Sequence, residues 1–153
     1  MEYIIPNSVD QINDAIELFQ EYANTLNISL SFQNFDEELK IINSMYGSPT
    51  GCLLLVYDNE LPVACAAYRK IGEDICELKR MYIKPDYRRK GIGQEIVNIL
   101  CTRSKLNGYR IMRLDTLDIM TPAIKLYSNN GFYKIEAYYH NPNEGVVYME
   151  KSL

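Results

Sequence analysis

The stretch Arg88-Arg89-Lys90-Gly91-Ile92-Gly93 lies between an extended apolar run and a long helical pattern. The run before it is rich in residues that favour strands and reads Cys76-Glu77-Leu78-Lys79-Arg80-Met81-Tyr82-Ile83. Pro85 then ends regular pairing, because proline has no N–H to give to a sheet. After the stretch, apolar residues recur at helical spacing, namely Ile92, Ile96, Val97, Leu100 and Cys101. Two glycines and three cations therefore stand where a strand passes to the N-terminus of a helix.

This junction has the features of an anion site. Gly91 and Gly93 have no side chains to block close approach, and the first amides of a helix have no internal partners. The positive helix end and the three cations add to the attraction, so the ligand implied is a phosphate or pyrophosphate. Two ordinary explanations stay open, a glycine that caps a turn and a solvated basic loop. A dinucleotide fingerprint is excluded because Ile96 stands where its third glycine would be, and the P-loop pattern is absent.

Length and composition indicate one ordinary globular domain over residues 1–153. The chain has 153 residues, of which 47% are apolar and 24% charged, and this length is enough to bury a core. Four cysteines without a C-x-x-C pair and a single histidine predict reduced thiols and no metal site. There is no basic leader followed by an apolar segment, and no apolar run reaches membrane-spanning length. We therefore expect a cytoplasmic protein with no membrane partner.

Charge is unevenly distributed along the chain. The net charge of −4 makes nucleic acid a poor partner. Residues 1–60 contain Lys40 as their one base, whereas most cations lie between Lys79 and Arg113. This distribution fits an anionic cofactor bound by the middle of the chain and a cationic or amine substrate met by the first third.

The pattern predicts the element order βααβββαβαββ, an α/β (mixed α+β) fold with helices on the faces of a mixed sheet. A loop over residues 27–34 follows the first helix, and Phe32 and Phe35 either anchor it or line a pocket. The predicted helices cover about 8–26, 36–46, 93–107 and 121–129. The predicted strands cover about 3–5, 52–57, 61–71, 76–83, 110–114, 132–139 and 146–151.

Two separated motifs carry a family resemblance. Arg88-x-x-Gly91-x-Gly93, after a strand that ends in Met-Tyr-Ile, resembles the pyrophosphate motif of the GNAT superfamily of acyl-CoA-dependent N-acetyltransferases. Ala123-Ile124-Lys125-Leu126-Tyr127-Ser128-Asn129-Asn130-Gly131-Phe132 is similar to the same family's A-x-x-L-Y-x-x-x-G-F stretch. The element order also looks like that fold, in particular like its small bacterial-type members. The resemblance implies a mostly antiparallel central sheet with one splayed parallel pair, and acetyl-CoA as co-substrate without a metal.

The same resemblance assigns coenzyme A contacts. Backbone amides over residues 89–94 would hold the pyrophosphate, and the backbone of Met81 and Ile83 would pair with the pantetheine arm as an added strand does. A Met81 N–H facing the gap would polarise the thioester carbonyl. Leu126 and Tyr127 would cover the pantetheine. The full predicted set is Met81, Tyr82, Ile83, Arg88, Arg89, Lys90, Gly91, Ile92, Gly93, Gln94, Thr116, Ala123, Leu126 and Tyr127.

Two residues are candidates for catalysis. A lysine-like amine has a pKa of about 10.4 and must lose a proton before it can attack the thioester. Glu77, which lies on the strand beside the expected gap, is the candidate base. Tyr127 matches the family's usual general acid for the departing thiolate. Each has an ordinary alternative: Tyr127 packs in the core, and Glu77 is a strand carboxylate paired with a cation on a neighbouring strand.

The chain departs from the family pattern at one place. Many relatives carry asparagine where Met120 stands, so Thr116 or Thr121 would have to replace its contact with the pantetheine region. His140, the single histidine, lies near Tyr138 and Tyr139 where family members shape the acceptor pocket, and it is either structural or catalytic.

We therefore expect an N-acetyltransferase that moves an acetyl group from acetyl-CoA to a primary amine of a small molecule or peptide by direct attack. The alternatives are a non-catalytic acyl-CoA-binding regulatory module and O-acylation of a small alcohol. Acids and aromatics of the first third, with the Tyr138-Tyr139-His140 segment, suggest a pocket for a small amine or peptide end. A homodimer is frequent for this fold, but no stretch of the sequence defines an interface.

Overall fold

The computed structural model describes residues 1–26, 30 and 34–153, which form a single seven-stranded sheet with helices on both faces. Phe32, which is predicted to anchor the loop or to line a pocket, lies outside the described residues. The strands are β1 (Glu2–Ile4), β2 (Cys52–Asp58), β3 (Leu61–Lys70), β4 (Ile75–Ile83), β5 (Ile111–Leu117), β6 (Tyr133–Ile135) and β7 (Val146–Ser152). The helices are α1 (Val9–Thr25), α2 (Phe35–Lys40), α3 (Ile42–Met45), α4 (Ile92–Leu106) and α5 (Thr121–Asn129), with a 3₁₀ turn at Pro85–Tyr87.

The strands are arranged in the order β1-β2-β3-β4-β5-β7-β6. Every neighbouring pair is antiparallel except β4 and β5, which are parallel and are joined through α4. A crossover helix is the usual way to join parallel neighbours. The predicted fold class, a mostly antiparallel mixed sheet with one parallel pair, is confirmed.

The sheet separates two apolar cores. The core that we call the α4–α5 face contains Ile92, Ile96 and Leu100 of α4, with Tyr127 of α5 and the inward residues of the central strands. The core that we call the α1–α3 face contains Ala15, Leu18 and Phe19 of α1, Ile42 of α3, Tyr46, and the residues of β2 and β3 that point the other way. Alternation along the strands sends successive side chains to opposite faces, which is why β2 and β3 are almost wholly apolar.

Helix α1 begins at a well-defined cap. The Ser8 hydroxyl accepts a hydrogen bond from the Gln11 N–H at 3.2 Å, and the Gln11 side chain accepts one from the Asn7 N–H at 2.8 Å. The bond to Ser8 satisfies an amide that the first helical turn leaves without a partner, and the bond from Asn7 joins the residue before the cap to the helix. Ser8 is therefore the N-cap of α1, and the helix packs on the sheet with its apolar side inward.

Three predicted elements were wrong in extent, and one of them, the strand predicted over 110–114, continues to Leu117 as β5. The helix predicted over 36–46 is divided into α2 and α3, because the chain leaves helical geometry at Ile41, and this turn buries Ile42 while Ile41 stays exposed. The strand predicted over 132–139 ends at Ile135. The residues after Ile135 instead carry the hydroxyls of Tyr138 and Tyr139 to carboxylates on the central strands, and these bonds hold the segment across the sheet.

Candidate active site

A gap between β4 and β5 is the centre of the site. The two strands pair at Ile75, Cys76 and Glu77 with Ile111, Met112 and Arg113, and the ladder stops there. Beyond this point β4 stays paired with β3 and β5 with β7, so the two strands diverge. A cavity of about 670 Å³ opens between them, with residues 78–83 on one wall and 114–117 on the other. The splayed parallel pair implied by the family resemblance is confirmed.

A bulge in β4 shapes the first wall. Lys79 pairs with Ala67 and Tyr82 with Cys65, so Arg80 and Met81 together oppose one residue of β3. Arg80 is the extra residue and has a left-handed φ of 57°, a conformation that costs roughly 1–2 kcal/mol outside glycine. The bulge changes the alternation, so Met81 faces α4 and α5 while Arg80 reaches α2 on the other face.

The N-terminus of α4 closes one end of the cavity. Gly91 caps the helix with φ 82° and gives no side-chain acceptor, and Arg89 is also left-handed with φ 60°. The first helical amides therefore lack internal acceptors and lie at the cavity, whose lining includes Arg88, Arg89, Gly91, Gly93 and Gln94. This arrangement fits an anionic group such as a pyrophosphate.

For three of the residues predicted to bind the cofactor near this helix end, the structure shows other contacts for the side chain. The Arg88 Nε donates to the Ile83 carbonyl oxygen at 2.9 Å, which fixes the loop against the end of β4. Lys90 lies over the Tyr87 ring at 5.1 Å and is not among the residues that line the cavity. The Ile92 side chain is 2% exposed and belongs to the core, so it does not line the cavity.

Helix α5 forms a further wall of the cavity, across from Met81 of β4. Ala123, Leu126 and Tyr127 line the cavity, as do Thr116 and Met120, whose Oγ1 and Sδ are 3.7 Å apart. The wall is joined to α4 by Gln94 and Asn130, whose side-chain amides bond reciprocally at 2.6 and 2.9 Å. This amide pair holds the helix end and α5 at a fixed separation.

The Tyr127 hydroxyl faces the gap. It lies 3.6 Å from the Met81 Sδ, across from the β4 wall, and its ring packs against Phe132 with centroids 5.7 Å apart. A thioether is a weak acceptor, so this contact leaves the O–H available to a better one. Burial raises the pKa of Tyr127 above its usual value, which keeps the hydroxyl protonated at neutral pH.

Glu77 is held in an ion-pair network beside the gap. Its carboxylate accepts from the Arg69 Nε at 3.0 Å and from the Tyr138 hydroxyl at 2.7 Å. Arg69 is the register partner of Glu77 on β3, so the cross-strand pair expected as the ordinary alternative is present. Glu77 is 2% exposed and is not among the residues that line the cavity.

Three charged side chains that line the cavity, those of Lys79, Arg80 and Asp115, were missed by sequence reasoning. Lys79 and Asp115 each stand two residues beyond the last paired residues, Glu77 and Arg113, and therefore occupy the same level on opposite walls. Both point to the α1–α3 face, because side chains two apart on a strand share a face. A Lys-Arg pair inside an otherwise apolar strand was the available signal, since such residues are rarely buried without a reason.

The surroundings of Lys79 and Asp115 are polar and ordered. The Asp115 Oδ2 accepts from the Tyr139 hydroxyl and from the Asn141 Nδ2, the latter at 3.0 Å. Lys79 is 8% exposed, and its Nζ lies 3.8 Å from the Glu77 Oε1. Burial, with the nearby Arg80, lowers the pKa of Lys79 to about 8 against the attraction of Glu77.

Acids of the first third do not meet the cavity directly. Glu38 is 1% exposed and binds the Arg80 guanidinium through two bonds of 2.8 and 2.9 Å. Phe35 stacks on the same guanidinium at 5.1 Å. Asp36 and Glu37 are exposed, and none of these four α2 residues is among those that line the cavity. Glu38 therefore neutralises a cavity arginine and does not itself face a ligand.

His140 lies outside the gap. It is exposed and lines a separate open depression of about 620 Å³ together with Tyr138, Tyr139 and Tyr148. Its neighbour Asn141 lines the gap cavity instead. Among the described residues there is no group of three or more His, Cys, Asp or Glu side chains placed to hold a metal ion. No helix in the described ranges is long and apolar enough to cross a membrane.

Comparisons with known proteins agree on one family. A family model described as the acetyltransferase (GNAT) family matches residues 13–132. An uncharacterized N-acetyltransferase of Schizosaccharomyces pombe is 39% identical over 144 residues, which cover 93% of this chain and 88% of the yeast protein. The family resemblance and the enzyme class predicted from the two motifs are thereby confirmed.

Solved structures give the same fold. The crystal structure of an acetyltransferase from Streptococcus agalactiae has a TM-score of 0.83 at 20% identity, covering 99% of this chain and 98% of that one. A PaiA N-acetyltransferase from Thermoplasma acidophilum, solved in complex with coenzyme A, has a TM-score of 0.73 at 18% identity and covers all of both chains. At these identities the likeness establishes the fold alone.

Proposed function

Because this chain belongs to the GNAT family of acetyltransferases, we propose that it transfers the acetyl group of acetyl-CoA directly to a primary amine of a small molecule or peptide. Acetyl-CoA is the donor that the family uses. The observation that carries the proposal is one continuous cavity, which runs from the α4 N-terminus through the β4–β5 gap to the Tyr127 hydroxyl. We take residues 1–153 as a single N-acetyltransferase domain, and its cytoplasmic location stays a prediction.

The α4–α5 face suits the donor. The α4 amides and Arg88 and Arg89 are placed for the pyrophosphate, and the edge of β4 beyond Glu77 has lost its β5 partner. An extended pantetheine arm with amide groups can use such an edge as a strand would. Gly93 supports this fit, because a Cβ there would lie 3.0 Å from the Leu126 Cδ2 and narrow the channel.

Tyr127 serves as the acid in this proposal. Attack by the amine forms the new C–N bond, the C–S bond breaks, and negative charge develops on sulfur. The Tyr127 O–H faces that position from α5 and donates the proton that the departing sulfur takes up. An N–H of the Met81 region that faces the gap stabilises the negative charge on the carbonyl oxygen.

The base has two candidates with different positions. Glu77 remains our prediction from the sequence, but with Arg69 and Tyr138 on its oxygens it needs an intermediary to reach the amine. Asp115 lines the cavity, and its Oδ2 alone takes the bonds from Tyr139 and Asn141. The kcat values of Glu77→Gln and Asp115→Asn at saturating acetyl-CoA separate them, since only loss of the true base should lower kcat by about 10²- to 10⁴-fold.

The proposal is tested by thiol release from acetyl-CoA with a panel of primary amines. Tyr127→Phe should lower kcat about 10²- to 10⁴-fold while coenzyme A still binds. Tyr133→Phe is the matched control, because Tyr133 is half exposed on β6 and should leave kcat unchanged. Tight coenzyme A binding without turnover of any amine would favour the non-catalytic module, and an ester product would favour O-acylation.

A further inference from the structure

The α1–α3 face of the gap bears an ammonium and a carboxylate on opposite walls. Lys79 stands on β4 and Asp115 on β5, each two residues past the last rung of the parallel ladder and both within the cavity lining. The reacting amine has to reach the thioester from this face, because the donor occupies the α4–α5 face. An acceptor that enters here meets both charges at once.

Arg80, which also lines the cavity, is a weaker candidate for binding an anionic group. Both Arg80 bonds go to Glu38, so that its charge is balanced within the protein. Lys79 also lines the cavity, and its Nζ lies 3.8 Å from the Glu77 Oε1, which is beyond hydrogen-bond distance. An ammonium at the wall of a cavity attracts an anionic group that enters the cavity.

We propose that the acceptor is an amino carboxylate, whose carboxylate binds Lys79 while its amine lies beside Asp115. Free amino acids are the simplest molecules of this class. The inference rests on the proposed function for the donor and the reaction, and adds the acceptor class. It also gives Lys79 a role, since a bound carboxylate offsets the burial that otherwise disfavours its charged form.

The side chain of such an acceptor has an apolar neighbour. Tyr22 and Leu26, from the last turn of α1 and its cap, line the same cavity. An aliphatic side chain therefore suits this end of the cavity better than a charged one. Leucine is accordingly a suitable probe, with leucinamide and 3-methylbutylamine as matched amines that lack the carboxylate.

The experiment measures kcat/KM for these three amines with acetyl-CoA, and their binding to the coenzyme A complex by calorimetry. We expect leucine to be favoured over leucinamide about 10- to 100-fold, the range for a hydrogen bond to a charged group. Lys79→Met should remove this preference through the KM for leucine, Lys79→Arg should keep most of it, and the exposed Lys134→Met should change nothing.

Each outcome decides the inference. A leucine-to-leucinamide ratio near one in the wild-type protein, or a ratio unchanged in Lys79→Met, overturns it while acetylation of amines can still stand. Lys79-dependent binding of leucine without acetylation of any amine would instead support the inference and reject the proposed function. Unchanged coenzyme A affinity in Lys79→Met shows that the variant is folded.

Discussion

The two faces of the β4–β5 gap differ in the chemical groups that they present to a ligand. The α4–α5 face offers backbone amides, two glycines, apolar side chains and the hydroxyls of Tyr127 and Thr116. The α1–α3 face is a set of buried charges in which Arg80 pairs with Glu38, Arg69 with Glu77, and Lys79 and Asp115 line the cavity. Backbone groups suit a donor that is the same for every acyl-CoA enzyme. Side-chain charges suit an acceptor that differs from one enzyme to the next.

This difference has an energetic consequence. Backbone amides at a helix end need no partner that a mutation can remove, whereas a buried charge is destabilising once its partner is lost. Substitutions on the α1–α3 face should therefore change folding and acceptor use together. Substitutions on the α4–α5 face should change acetyl-CoA use with little effect on folding.

The largest effect is expected from Glu38→Ala. The change leaves the Arg80 guanidinium, 6% exposed, without its carboxylate, and breaking a buried pair costs about 3–5 kcal/mol. Urea unfolding monitored by circular dichroism measures the loss. Because Arg80 lines the cavity, the KM for the amine should also rise more than the KM for acetyl-CoA.

Glu37→Ala is the matched control for this change. Glu37 is the preceding residue of α2 and pairs with Lys40 at 3.0 Å, but both side chains are more than 60% exposed. An exposed pair contributes about 0–1 kcal/mol. Equal losses of unfolding free energy in the two variants would mean that the buried Glu38–Arg80 pair stabilises the fold no more than an exposed pair does.

The two faces also differ in how far the sequence predicts them. Most of the proposed donor side follows from contiguous motifs, because Gly91 and Gly93 lie at the start of α4 and Leu126 and Tyr127 lie in α5. Lys79 and Asp115 are brought together only by the register of a parallel pair more than thirty residues apart in sequence. Glu38 illustrates the same limit: an acid in a short helix gives no sign of the buried arginine that it meets on β4.

A second prediction concerns pH and the buried Lys79. Its pKa is lowered from 10.5 to about 8 in the folded protein, chiefly by burial. Between these values the unfolded chain binds the proton and the folded chain does not, so stability falls as pH decreases through this range. Relative to Lys79→Met, the wild-type protein should lose on the order of 3 kcal/mol between pH ~10.5 and pH ~7.

The measurement is the difference between the two unfolding free energies across this range. The charges that act on Lys79 include Glu77 and Arg80 on its own strand, Arg69 on β3 and Glu38 on α2. Asp115 faces it across the gap, and all of these residues are unchanged in the variant. The raised pKa values of buried tyrosines and cysteines likewise cancel in the difference. A pH-independent difference would show that Lys79 keeps its ordinary pKa in the folded state.

The smallest effect is expected on the donor face, from Gly93→Ala. A Cβ at this position would lie 3.0 Å from the Leu126 Cδ2 and 3.4 Å from the Ile83 Cδ1 and the Met81 Cε, so these side chains must move toward the channel. The KM for acetyl-CoA should rise about tenfold, equivalent to about 1.4 kcal/mol. Stability should not fall comparably, because alanine favours a helix over glycine by about 0.5–1 kcal/mol.

Gly72→Ala is the control for this substitution, since its Cβ would make only ordinary contacts of 3.4–3.5 Å with Ile75 in a turn away from the cavity. Initial-rate kinetics with each substrate varied in turn give the two KM values. If Gly93→Ala raises the amine KM as much as the acetyl-CoA KM, the separation of donor and acceptor faces is wrong. If only the acetyl-CoA KM rises, the close approach at Gly93 belongs to the donor channel, in agreement with its contacts to Leu126, Ile83 and Met81 of the α4–α5 face.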